Sequence, residues 1–167
     1  MKGLRAFCSG EYADLQLLCG GRALKAHRVV IGTQSKPLAD RIESGSKEAK
    51  ICTINLEDDK LPILKLLIEY FYTGNYRNPV LSGPLPANNG SLSEEIKIHE
   101  ELYDMANKYE VPGLRHCITE KYKKYLDGSL QGFIASLEEI RDPRHPMHGI
   151  RAVAIGFAMQ NYLRLRT

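Results

Sequence analysis

The residues best equipped for chemistry in this 167-residue chain are five histidines, four cysteines and a scatter of acids and bases, so the first question is which of them stand at working distance. His116-Cys117 has the types of a base and a thiol nucleophile, but adjacent residues on a helix diverge by about a hundred degrees and cannot form a productive pair. Cys117 falls on the apolar side of its pattern and reads as core. A cysteine hydrolase built on Cys117 or Cys8 needs a distant histidine carried in by folding. His145 and His148 are three apart, yet Pro143 and Pro146 turn the chain there, so the pair reads as a surface loop rather than two ligands on one helix face. Gly20-Gly21 lacks the further glycines and the lysine of a phosphate loop and joins two apolar runs without opening a helix. No catalytic, metal-binding or cofactor-binding set emerges.

Charge adds little to that list. The net +3 is spread along the chain. Its densest basic cluster, Lys121, Lys123 and Lys124, sits in a helical pattern where a solvated face is the ordinary explanation. Tyr70, Tyr72, Tyr76, Tyr103, Tyr109, Tyr122 and Tyr125 suit helix packing better than base stacking, so no nucleic-acid partner is expected. Cys8, Cys19, Cys52 and Cys117 show no close pairing. The amino terminus has no secretion-signal stretch, and no run reaches membrane-spanning length. A reducing, intracellular home, cytoplasmic or nuclear, follows as the expectation.

What remains is a charged set, Asp14, His27 and Arg28, and the elements that must position it. Asp14-Leu15-Gln16-Leu17-Leu18 and Arg22-Ala23-Leu24-Lys25-Ala26 partly alternate around Gly20-Gly21, whose freedom at positive φ suits a tight turn, so a β-hairpin carries Asp14 at one end and His27-Arg28 at the other. Asp14 pairing with a nearby cation is the structural reading of this set; a charged pocket for a partner is the functional one. His27 is by type a group that titrates near neutral pH. Val29-Val30-Ile31 is β-branched and by propensity a strand.

Downstream, Cys52, Ile54 and Leu56 alternate as a third strand. Asp58-Asp59 is suited to capping a helix carrying Leu64, Leu67, Ile68 and Phe71, with Gly74 as its stop. Residues 77–97 are rich in Pro, Gly, Asn and Ser and read as a loop insertion. Helical spacing returns with Ile98, Leu102, Met105, Ala106 and Tyr109. A second helix follows from Pro112, and two more come beyond Asp127-Gly128, through Leu130 to Ile140 and Ile150 to Ala158.

In this order, Tyr12-Ala13-Asp14-Leu15, Leu24-Lys25-Ala26-His27-Arg28, Ser35, Ile54-Asn55-Leu56, Glu69-Tyr70-Phe71-Tyr72-Thr73-Gly74, Ala106-Asn107-Lys108-Tyr109 and Val111-Pro112-Gly113-Leu114 resemble the signature segments of the BTB/POZ domain family. The resemblance implies an α+β fold, a small three-stranded sheet flanked by helices, here with a C-terminal helical extension. The expected layout is a leader over 1–11, the domain over 12–126 and the extension over 127–167. The loop and tail look like the long-insertion members of filamentous fungi. The same resemblance makes Val29-Val30-Ile31 a short helix, against its strand propensity.

By function the resemblance implies a non-enzymatic protein–protein interaction module with no cofactor, serving self-association or adaptor contacts. Presenting a client to a cullin-based ubiquitin ligase and recruiting a transcriptional corepressor are its alternatives. Strand-swapped dimers of the family carry an extra strand and helix before the first signature aspartate. Thirteen residues precede Asp14, so a monomer or weak homodimer is expected. Cullin-binding members often carry a hydrophobic-x-Glu motif; its counterpart, Ser46-Lys47-Glu48, lacks the hydrophobic residue, so feeble cullin binding is expected. The interaction candidates are thus Asp14, His27, Arg28, Ser46, Lys47 and Glu48.

Overall fold

In the computed structural model the described residues are 9–44, 51–77 and 90–128, together with 149–150, 152–153, 155–156 and 159. Strands β1 (Leu15–Cys19) and β2 (Arg22–Ala26) form the expected hairpin, and β3 (Cys52–Asn55) completes a sheet of order β2-β1-β3. β1 pairs antiparallel with β2 and parallel with β3, in a register that sets Leu15 opposite both Ala26 and Cys52. The turn closes on Gly20 at φ 56 and Gly21 at φ 66, the left-handed pair that a two-residue hairpin requires. Leu15, Leu17 and Cys19 of β1 and Cys52 and Ile54 of β3 are buried on one face, while Thr53 and Asn55 face water. This is the period-two pattern of a half-buried strand.

Residues 28–32 are helical: α1 spans Arg28–Gly32, so the family resemblance prevails over strand propensity. The cause is tertiary. The carboxylate of Asp14 accepts the Arg28 backbone N–H at 2.8 Å, and the His27 carbonyl accepts from both Val30 and Ile31, so the first turn is held before any side-chain preference operates. Helix α2 (Lys36–Ser44) follows, opened by Ser35, whose buried hydroxyl oxygen accepts the Leu38 N–H and whose hydroxyl donates to the Tyr109 carbonyl at 2.7 Å.

Helix α3 (Leu61–Thr73) buries Leu64, Leu67, Ile68 and Phe71 and ends on Gly74 in the left-handed conformation, with its N–H on the Tyr70 carbonyl, as the sequence indicates. Its start differs. The N-cap is Lys60, without a side-chain cap bond, and neither Asp58 nor Asp59 fills that position. Asp59 is engaged elsewhere, as described below.

Helix α4 runs Gly90–Lys108 and α5 runs Pro112–Gly128. The first of these begins well inside the 77–97 stretch read as loop. The last proline there is Pro86, so from Gly90 to Lys108 no residue lacks the backbone N–H that a helix needs. Between α4 and α5, Glu110 takes φ 52 and Val111 donates to the Ala106 carbonyl, a left-handed C-terminal stop made without glycine. Gly113, in the first turn of α5, lies close under the Tyr70 hydroxyl, which would have to move to admit a Cβ there.

The chain divides into two compact units, the first drawn from residues 1–77 and 105–114, the second from 78–104 and 115–167. The first holds the sheet, α1, α2, α3 and the turn after α4. In the second, His99 of α4 and Tyr122 of α5 meet edge to face with ring centroids 6.1 Å apart, and Gly149, at φ 78, lies against the Tyr103 ring. Residues 150, 152–153, 155–156 and 159 are helical, with Ile150 buried. The helix read from Leu130 to Ile140 lies outside the described residues.

Burial of His99, with the Lys121 ammonium adding to it, lowers its pKa to about 4. The unfolded chain, with an ordinary value of about 6.5, therefore binds the proton first, and stability is lost as pH falls from about 6.5 through about 4. Between pH 7.5 and 5.5 this one group costs about 1.4 kcal/mol. Denaturant unfolding at the two pH values checks it, the loss shrinking by that amount in His99→Phe.

Candidate docking site

Asp14, at the foot of β1, organises one corner of the first unit. Its side chain accepts the Arg28 N–H. Its carbonyl accepts both the Arg28 Nε–H at 3.0 Å and the Cys52 N–H at 3.0 Å, so one residue ties α1 and β3 to the hairpin. The Arg28 guanidinium and the Asp14 carboxylate form a loose ion pair at 4.0 Å, both partly open to water, so its own contribution to stability is small. The backbone capping bond does more.

His27 is fully engaged. The Tyr72 hydroxyl accepts the His27 backbone N–H at 3.1 Å and lies 2.7 Å from Nδ1, while Nε2 lies 2.9 Å from the Glu11 carbonyl oxygen. The Glu11 carbonyl can only accept, so Nε2 carries a ring proton, and in that neutral tautomer Nδ1 accepts from the Tyr72 hydroxyl. Burial, with the Asp14 carboxylate added, raises the Tyr72 phenol above its ordinary range. The structure thus brings Asp14, His27 and Arg28 together with Tyr72, in the pairing role that the structural reading gave them. Ser46, Lys47 and Glu48 lie outside the described residues.

Three large apolar side chains close in sequence to these residues stand in water. Tyr12, two residues before Asp14, is 87% exposed and takes φ 60; Val29, next to Arg28, is 70% exposed; Ile51, next to Cys52, is 43% exposed. Each is one or two residues from a group bonded to Asp14, so the bonds that hold the corner also fix their positions. A left-handed tyrosine costs on the order of 1 kcal/mol or more, and an exposed ring returns none of it within the monomer. Sequence reading missed all three. The only signal was Val29, an apolar residue in a helix too short to show periodicity.

A second polar assembly lies deeper. The Asp59 carboxylate, 6% exposed, accepts the Lys108 ammonium at 2.7 Å and the Tyr109 hydroxyl, and the Asp59 carbonyl receives the Cys19 thiol at 3.1 Å. Burial and the hydrogen bond to Asp59 together push the Tyr109 phenol far up. Burial, then the Asp59 and Glu57 carboxylates, raise the Cys19 thiol, so it stays protonated. Cys117 is also raised, by burial. Cys19, Cys52 and Cys117 are free thiols, the first two buried. Protonated, covered thiols are poor nucleophiles. The Asp59 assembly joins the end of β1, the β3–α3 connection and the end of α4, and reads as a tie.

The first unit combines a mixed three-stranded sheet, a Gly-Gly hairpin and a short helix tied to Asp14. Comparison with known proteins gives the family. The sequence profile of the BTB/POZ domain matches residues 4–126. The chain therefore belongs to the BTB/POZ domain family, whose domain is a protein–protein interaction module. Among curated relatives it is similar to human "Kelch repeat and BTB domain-containing protein 4", 26% identical over 115 residues that make up 68% of this chain and 18% of the relative. The mouse protein of the same name is 25% identical over 115 residues, with the same coverage. The chain spans about a fifth of the length of these relatives. Among solved structures it resembles the BTB domain of zebrafish PATZ1, with a TM-score of 0.54 at 12% identity, covering 74% of this chain and 86% of that one.

Proposed function

We propose that this BTB/POZ domain works by docking alone, as an adaptor or self-associating module that transforms no substrate, and that its working surface is the corner organised by Asp14. The observation that carries this reading is the exposure of Tyr12, Val29 and Ile51, which lie within two residues in sequence of Asp14 or of its bonded partners Arg28 and Cys52. Exposed apolar anchors with accessible charged groups near them in the chain are the composition of a binding hot spot. Asp14, His27 and Arg28 hold the corner and offer the partner an acid and a base. The partner is a protein, with nucleic acid and membrane set aside.

Among the described residues, the free cysteines Cys19, Cys52 and Cys117 fit a reducing cytoplasmic or nuclear setting. No helix among the described residues is long and apolar enough to cross a membrane. Within this reading the domain is a monomer or weak homodimer, Ser46-Lys47-Glu48 makes cullin a feeble partner, and corepressor recruitment is the other adaptor use. The fungal long-insertion assignment rests on the composition of the loop after Gly74 and on the tail with Ile150-Arg151. Affinity capture by the intact chain from native cells, read by mass spectrometry, is expected to recover defined proteins, and alkylation of its thiols near neutral pH to be slow. A single cysteine reacting fast and stoichiometrically would instead mark an enzyme.

A further inference from the structure

Helix α1, which carries the exposed Val29, is held at both ends by α3. At its start the His27 backbone N–H goes to the Tyr72 hydroxyl. At its end the side-chain amide of Gln34, a half-buried residue, donates to the Val30 carbonyl and to the Phe71 carbonyl, both at 2.8 Å. Consecutive residues of α3, Phe71 and Tyr72, thus clamp the two ends of α1.

The Gln34 bridge fills a gap in both helices. The last carbonyls of a helix have no intrahelical donor. The Gln34 backbone N–H, which would continue the ladder to Val30, goes to Ile31, and the Asn75 N–H, which would reach Phe71, goes to the Thr73 hydroxyl. The Thr33 hydroxyl adds only a long contact of 3.5 Å to Val30. One amide therefore serves the ends of two helices. The residues of α1 itself do little to keep it wound: Val29-Val30-Ile31 favours strand, His27 gives no side-chain cap, and five residues are too few for stability by propensity.

We propose that Gln34 is the positioning residue of the docking surface: its amide keeps α1 wound and fixed to α3, so that Val29 meets a partner already in place. The inference rests on the docking reading of Val29 and adds the group that preorganises it. Ordering α1 beforehand removes that cost from the binding step. The plain alternative is that Gln34 only fills space between the two helices.

Three substitutions separate donor from filler. Gln34→Glu keeps the shape, loses both donors and sets a carboxylate against two carbonyls. Gln34→Leu keeps the bulk alone. Gln34→Lys restores donors, and its cation suits two helix C-termini. Hydrogen exchange of the intact chain, read at the amides of Val30, Ile31 and Thr33, is expected to quicken about tenfold in Gln34→Glu and Gln34→Leu and to stay near wild type in Gln34→Lys, with the β1 and β2 amides unchanged. Capture of the proteins that wild type recovers, at a temperature where every variant is folded by circular dichroism, is expected to fall about fivefold in the first two and to return in Gln34→Lys. If bulk alone mattered, Gln34→Leu would match wild type and Gln34→Lys would not. That ranking, or unchanged exchange in Gln34→Glu, overturns the inference. So does capture that is lost with Val29→Asp and undiminished with Gln34→Glu, a result that leaves the docking reading standing. Capture undiminished in both, or a wild-type chain that recovers no defined protein, removes the docking reading and the inference with it.

Discussion

Asp59→Ala is expected to lower the unfolding free energy by about 3 kcal/mol, the largest effect of any single polar substitution proposed for this chain. The Tyr109 hydroxyl loses its acceptor in a buried position, and the Lys108 ammonium loses its counter-ion. The two losses are unequal. Lys108 is 44% exposed and is rehydrated once Asp59 is gone, so the ion pair itself contributes little. The buried hydroxyl cannot be rehydrated without opening the chain around it. Lys108→Met is consequently expected to cost under about 1 kcal/mol, and Tyr109→Phe an intermediate amount. Urea unfolding of the three variants measures the order. If Lys108→Met proved as costly as Asp59→Ala, the tie would be ionic and this account of it wrong.

The second large effect concerns binding rather than folding. Val29→Asp puts a charge on the most exposed aliphatic side chain of the Asp14 corner. Burying a valine against a partner contributes about 1.5–3 kcal/mol, and a carboxylate left unpaired in that contact costs more, so capture of the partner should fall at least tenfold. The fold should not suffer. Residue 29 is in the first turn of α1, where an acidic side chain is favourable to the helix, and exposed substitutions change stability by only about 0.5 kcal/mol. Tyr12→Ser should act in the same direction for the same reason.

How much of this was written in the residues depends on the kind of interaction. The hairpin, β3, α3 with its Gly74 stop, and the α4–α5 pair were legible because their apolar residues recur at period two or at helical spacing, and such faces have one place to go. Local propensity misread α1: Val29-Val30-Ile31 is strand-like alone, and a carboxylate 14 positions away supplies the bond that makes it helical. Helix α2 left only a short signal, Ser35 before Lys36-Pro37, which reads as a cap followed by a first-turn proline. The parallel pairing of β1 with β3 is a long-range choice that alternation does not encode.

The site followed the same division. Asp14, His27 and Arg28 could be picked out by type, and they do converge. Their bonding to Tyr72 and Glu11 required the fold. Asp59 was misassigned for a physical reason: an aspartate just before a helix is a good cap, and here the buried Tyr109 hydroxyl and the Lys108 ammonium offer it a better partnership than an exposed N–H would. Tyr12, Val29 and Ile51 were invisible because exposure, unlike periodicity, belongs to the assembled chain.

The most direct test of docking through the Asp14 corner is side-by-side affinity capture with wild type, Val29→Asp and a control change on the outer face of α5, Lys124→Glu, read by quantitative mass spectrometry. The expected result is one set of proteins held by wild type and by the control and depleted at least tenfold with Val29→Asp, at unchanged melting temperature. Equal recovery with all three proteins would contradict the account.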